Sequence, residues 1–427
     1  MATTARRIAF EVLRQSDRGG ELLAERLARP DAEALPPRDR AFLHTLVLGT
    51  LRQRGLVDHA LAALVDRPLA QLDPAVRTVL RLGAYQILCL RVPHRAAVSE
   101  SVELSRAAAP RATGFVNAVL RRLAREGAAP LPDPQADPRG WLESAGSLPS
   151  WLAQRWLARL GPAVAVARAT ALSATPPVVI RLNPRAPDAQ ARLRDAGVVL
   201  WPLVVPGALE VREGAIGPFA ADAVVYAQDQ GSQLIAHLAA RAGLVLDACA
   251  APGGKSTLLA DLSPAARVVA GEVAPSRLRT LAALVARWGA PNVRLLGADA
   301  RRPPFRVRFD SVLLDAPCSG LGTLGRHPDI RWRARAADLE RHAQRQRELL
   351  EGVAPIVAAG GTLVFATCSI EPEENEEVVG PFLDAHPEFT LSAPPAWAEP
   401  FADGPHLRTR PEKDGGDGFF GAVLKRM

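Results

Sequence analysis

Cysteine is scarce in this chain of 427 residues. Four are present, far apart, and none belongs to a C-x-x-C pair. That argues against a disulfide framework and a zinc site, and it fits a reducing compartment. Lysine is scarcer still. Lys255, Lys413 and Lys425 are the only three among 52 basic residues. Nearly all positive charge is arginine, and a net charge of +7 suggests a polyanionic partner. No apolar run is long enough to span a membrane. The opening MATTARRIAFEVLRQ carries arginines but no apolar signal core, so a cytoplasmic location is expected. The dinucleotide fingerprint Gly-x-Gly-x-x-Gly is missing. The phosphate-binding loop lacks its first glycine: Gly254-Lys255-Ser256 supplies its end, but Cys249 stands where that glycine belongs. No ligand spacing implies a metal.

What is present divides by pattern. Residues 1–126 read as helix throughout, with apolar residues at spacings of three and four. Asp73-Pro74 opens one helix, and Pro93 and Pro110 mark breaks. Residues 127–140, GAAPLPDPQADPRG, read as an extended proline-rich linker. Residues 141–230 read as a small α/β accessory lobe: a helical stretch carrying Trp151, Trp156 and Leu160 on an apolar face, then short strands around one helix. Residues 231–427 alternate strand and helix, which predicts a doubly wound, Rossmann-like sheet with helices on both faces.

The stretch LVLDACAAPGGKST, residues 244–257, organises the last region. A short apolar strand ends in Asp247, a glycine turn follows, and a helix begins. This is the nucleotide-binding corner of such a sheet. Glycine lets backbone approach a ligand, and a helix N-terminus favours a carboxylate or phosphate. Acids stand at or near the ends of four successive strands: Asp247, Glu272, Asp299 and Asp315. Glu272 lies at about the distance past the glycine turn where an acid takes ribose hydroxyls. Asp299 is placed to accept from an adenine amino group. Acid at the ribose and no room for a triphosphate favour a nucleoside ligand, with S-adenosylmethionine the leading candidate. Its amino-acid end would be held by the glycine turn and Lys255.

Cys318 follows the fourth of these strands and Cys368 the fifth, so both sulfurs should open onto one pocket. Cys89 and Cys249 read as packing and spacer residues. Two thiols beside a methyl donor suit chemistry at carbon 5 of cytosine, which is too weak a nucleophile unaided. A thiolate adding to carbon 6 makes carbon 5 enamine-like. An acid at the ring nitrogen, here Asp315, would stabilise the adduct. The residues alone leave open which sulfur attacks.

Two resemblances extend this reading. LDPAVRTVLRLGAYQILCLRVPHRAAVSESVELSR with GFVNAVLRRL resembles the NusB-type fold, a small helical RNA-binding domain. DACAAPGGKS, GADARRPPF, DAPCSGLGTLGRHPDIRW, FATCSIEPEENEEVV and DGFF resemble the Sun/nucleolar-protein family of RNA cytosine-5 methyltransferases. Together they imply a multidomain protein: an all-α NusB-like front, the accessory lobe, and a Rossmann-like methyltransferase domain. They imply S-adenosylmethionine as cofactor, small-subunit ribosomal RNA as partner, and 5-methylcytosine as product. In that family the Thr-Cys-Ser cysteine is the nucleophile, which carries over to Cys368, and the Pro-Cys cysteine assists product release, which carries over to Cys318. The donor site carries over to Cys249, Ala250, Ala251, Pro252, Gly253, Gly254, Lys255, Glu272, Asp299 and Asp315. Glu272 departs from the family's usual Asp at the ribose but keeps its hydrogen-bonding role.

Arg326, Arg331 and Arg333, straight after Cys318, are expected to meet RNA phosphates. A monomer is expected. Two other classes stay open on residues alone: a P-loop-type NTPase, and a non-catalytic, antitermination-like RNA-binding factor.

Overall fold

The computed structural model describes residues 3–16 and 23–427. The chain divides into two compact units. One comprises the described residues up to Thr175 together with Leu324–Ala334; the other comprises Pro176–Thr323 and Arg335–Met427.

The first unit is helical. Its centre is the helix Pro74–Cys89, opened by Asp73, whose carboxylate accepts from the backbone N–H groups of Ala75 (2.8 Å) and Val76 (3.3 Å). Pro74 at the first helical position loses nothing by lacking an N–H. This helix buries Val76, Val79, Leu80, Leu82 and Tyr85 against the helices Thr4–Ser16, Pro37–Arg52, Arg54–Ala62, His94–Ala108 and Thr113–Glu126. The expected linker contains a short helix, Pro138–Glu143, capped by Asp137. The next helix, Ser150–Ser173, is broken at Gly161 (φ 74°, ψ 164°), where only glycine sits easily, just before Pro162. It buries Trp156 in the first unit.

The boundary expected at residue 141 therefore falls instead at 175/176. The helical stretch from Trp141 belongs with the front domain, because amphipathic helices say which face is buried and not which core receives it.

The second unit opens with a four-stranded antiparallel sheet of order β2-β3-β1-β4: β1 Val178–Leu182, β2 Val199–Pro202, β3 Leu209–Glu213 and β4 Val225–Ala227. Arg181 on β1 ties this sheet to the helix Gly254–Leu262. Its guanidinium reaches Asp261 (2.8 Å), Thr257 (2.6 Å) and Gln228 (2.8 Å). Burial lowers its pKa to about 10, against the pull of Asp261, so the pairing offsets a real desolvation cost.

The large sheet contains β5 Leu244–Asp247, β6 Arg267–Glu272, β7 Val293–Gly297, β8 Phe309–Asp315, β9 Val357–Thr367, β10 Phe389–Leu391, β11 Ala402–Asp403, β12 His406–Arg408 and β13 Phe420–Arg426. Its order is β11-β12-β13-β9-β8-β5-β6-β7, with β10 also on β13. β5 to β9 are parallel, and β13 runs antiparallel to β9. Val245, Leu246, Leu313, Leu314, Val364 and Phe365 are buried on alternate faces, as a sheet covered on both sides requires. β5 lies between β6 and β8, so the connections leave it in opposite directions. That reversal opens a crevice at the carboxyl ends of the strands. Among the described residues no helix is long and apolar enough to cross a membrane.

Candidate active site

Every strand that meets this crevice delivers a polar residue to it. Asp247 closes β5 and is completely buried. Its Oδ2 accepts from Ser256 Oγ (2.6 Å), while Oδ1 has no partner. Burial pushes its pKa up to about 7. The turn that follows depends on Gly253. Its φ of 113° is closed to L side chains, and a Cβ there would come 2.7 Å from Leu281 Cδ1. A Cβ on Gly254 would meet the Tyr226 ring at 2.9 Å.

Beside this turn lies a narrow cavity of about 40 Å³ lined by Ala248, Cys249, Glu272, Val273, Asp299 and Pro317, among others. Glu272 is buried at the end of β6. It accepts from the Ala274 backbone N–H (2.9 Å) and pairs with the half-exposed Arg277 (3.2 Å). Asp299 lies two residues beyond β7 and holds Arg301 at 2.7 Å. The Arg301 hydrogen bond lowers the Asp299 pKa. Cys249 is half-buried beside these acids. Desolvation, with Asp247, Asp315 and Glu272 adding to it, raises its pKa. The acids Glu272 and Asp299 in its lining and the orphaned Asp247 oxygen nearby suit the hydroxyl and amino groups of a nucleoside with an amino-acid tail.

Lys255 is not turned toward a phosphate. Its ammonium donates to Asp315 Oδ2 (2.8 Å) and lies 5.1 Å from the centre of the Phe419 ring. Burial alone would lower its pKa, but Asp315, and to a smaller degree Cys368, holds the proton more tightly, and the net shift is upward.

The two cysteines meet. β8 and β9 are parallel neighbours with Asp315 opposite Ala366, so the loops that leave them emerge side by side. Cys318 Sγ and Cys368 Sγ are 3.2 Å apart in a thiol hydrogen bond. That bond, followed by burial, raises the Cys318 pKa well above the ordinary thiol value. Gly322 N–H donates to Cys368 O (2.9 Å), and Gly418 N–H to Gly322 O (2.8 Å). A Cβ on Gly322 would fall 2.0 Å from Gly418 O, so this crossing admits only glycine. The DGFF stretch therefore serves twice, through Gly418 at the loops and Phe419 at Lys255.

One group escaped the sequence reading. EPEENEEVV reads as the acidic start of a helix, and Glu376–Ala385 is indeed helical. Glu374 just before it is completely buried and lies among the serines that follow the cysteines, Ser319 and Ser369. An acid inside a run of acids gives no periodic signal of burial.

The arginine loop needs correction. Arg331 does not face solvent. It is fully buried in the first unit, donating to the carbonyls of Ser147 (3.1 Å), Gly146 (3.3 Å) and Leu172 and to Ser173 Oγ (3.2 Å). Burial lowers its pKa to about 9. Trp332 donates to Leu51 O (2.8 Å) and stacks under Arg54. Arg52 is likewise buried and donates to Gly325 O (2.7 Å). Arg333 pairs with Asp329 at 2.8 Å. Arg326 and Arg333 are half-buried and line a cleft with Arg40 and His44.

Comparison with known proteins now bears on the site. The family model for the 16S rRNA methyltransferase RsmB/F matches residues 237–425, and the NusB family model matches residues 3–125. The chain is 38% identical to the Mycobacterium tuberculosis protein Rv1407, covering 99% of this chain and 96% of that protein. It is 33% identical to ribosomal RNA small subunit methyltransferase B of Citrobacter koseri, covering 98% of each. The crystal structure of PH0851 superposes with a TM-score of 0.78 at 26% identity, covering 98% of this chain and 99% of that one.

Proposed function

The chain belongs to the 16S rRNA methyltransferase RsmB/F family, and from that premise we propose that it methylates carbon 5 of a cytosine in small-subunit ribosomal RNA through a covalent cysteine adduct. The observation that carries the reading is the contact of two sulfurs, 3.2 Å apart, next to the Lys255–Asp315 pair.

Cys249 to Lys255, Glu272, Asp299 and Asp315 would hold S-adenosylmethionine, which would supply the methyl group as an electrophile. The chain's own residues prepare the base to receive it. The target cytosine leaves its stack to reach the crevice. Cys368, as thiolate, adds to carbon 6, and the electrons pushed into the ring make carbon 5 nucleophilic. Lys255, whose ammonium interacts favourably with Cys368, offsets the thiolate charge. The Asp315–Lys255 pair offers a hydrogen bond to the ring nitrogen, which stabilises the adduct. After methylation a base removes the carbon 5 proton, the carbon 6–sulfur bond breaks, and Cys368 returns as thiolate, with Cys318 assisting the release. The helical unit, matched by the NusB model, holds the RNA. The work is done in the cytoplasm.

An NTPase has two observations against it: Cys249 replaces the loop glycine, and Lys255 is engaged by Asp315. The test is incubation with labelled methyl donor and unmodified small-subunit RNA. Label is expected in 5-methylcytosine. Cys368→Ala should abolish transfer, and Cys318→Ala should accumulate RNA covalently attached to protein. Label in another base, or the reverse pattern for the two variants, would overturn the assignment.

A further inference from the structure

We propose that Glu374 is a positioning residue for both cysteines: a single buried carboxylate straps the loop carrying Cys318 to the loop carrying Cys368 and sets the contact between their sulfurs. The proposal deepens the two-cysteine reading above and rests on it.

The geometry is specific. Glu374 Oε1 accepts from the Ser319 backbone N–H (2.7 Å) and from Gln346 Nε2 (3.3 Å). Oε2 accepts from both Ser319 Oγ and Ser369 Oγ. Ser319 directly follows Cys318, and Ser369 directly follows Cys368. Gln346, also fully buried, donates to Pro317 O (3.1 Å) and so grips the other side of the first loop. The two serine hydroxyls are themselves 3.3 Å apart. Asn375 completes the seating of the second loop, donating to Ser369 O (3.0 Å) and accepting from Thr367 Oγ1.

A buried carboxylate is costly unless donors fill its lone pairs, and here four donors do so. Holding two loops together does not by itself require a charge. The charge acts on the sulfurs. The Cys318 thiol is held protonated first by its bond to Cys368, next by burial, and additionally by repulsion from Glu374. The Glu374 charge thus disfavours a thiolate at Cys318, the sulfur whose loop it grips.

Glu374→Gln in the full chain tests this. The amide has the same shape: its oxygen keeps the two N–H donors, and its NH₂ faces hydroxyl oxygens that accept. The fold is expected to survive. With RNA and labelled methyl donor, kcat should fall by about tenfold or more while both KM values stay within about twofold. Alkylation of Cys318 by iodoacetamide, followed by peptide mass, should move its pH midpoint down by roughly one pH unit. An unmoved midpoint, or wild-type kcat, would overturn the proposal. Should the variant fail to fold, Ser319→Ala and Ser369→Ala each cut one strap, and wild-type kcat in both would overturn it equally. If the wild-type chain transfers no label at all, the methyltransferase reading fails, while the alkylation midpoints still decide the role of Glu374.

Discussion

Asp247 carries a cost that only a residue-level view exposes. Its carboxyl is fully buried, has one hydroxyl donor, and is pushed up to about 7 from an ordinary aspartate value. A raised acid is stabilising when protonated. Between about pH 4 and 7 the unfolded chain gives up this proton while the folded chain keeps it, so folding becomes less favourable as pH rises. Each tenfold difference in proton affinity is worth about 1.4 kcal/mol, which puts the full cost at a few kcal/mol. Asp247→Asn removes the titration and preserves the shape. Urea denaturation should show the variant gaining on the wild type as pH rises from 4 to 7, with a constant difference above that. A difference independent of pH would mean the carboxyl titrates normally.

At the scale of elements, the glycine turn after β5 decides where backbone can approach a ligand. Gly253→Ala places a Cβ at a φ of 113° and into Leu281. The strain is about 1–3 kcal/mol, so the turn must move. Calorimetry should find S-adenosylmethionine binding weakened by about tenfold or more, and undiminished affinity would show that the turn does not hold the donor. This turn was legible in the sequence because strand, acid, glycines and helix start are contiguous. The alternation from Leu244 onward was legible for the same reason, as was the meeting of Cys318 and Cys368, since both follow neighbouring parallel strands. Gly418 and Phe419 were visible only as part of a DGFF stretch, because their work depends on β13 pairing with β9 across more than fifty residues of chain. The clamp at Glu374 and the burial of Arg331 were not legible. Both depend on polar groups satisfied deep inside, and hydrophobic periodicity is blind to a charge that has found its partners.

At the scale of the whole molecule, the arginine excess divides into two populations. Some arginines face solvent, where each one that meets a phosphate adds about 0.7–0.9 to the slope of log affinity against log salt. Others, such as Arg331 and Arg52, are structural. Arg331→Met leaves buried carbonyls without a donor and should destabilise the first unit by about 2–4 kcal/mol, visible as a lower melting temperature. The salt slope of RNA binding should be unchanged by it. A shallower slope with wild-type melting would return Arg331 to the RNA surface.

The same segment has a consequence for how the chain can be taken apart. The polypeptide passes from one unit to the other at 175/176, goes back at 323/324, and crosses again at 334/335. A cut at any one of these joints divides the residues of at least one unit between the two fragments. The excursion of Leu324–Ala334 therefore means that no single scission releases either unit intact and alone.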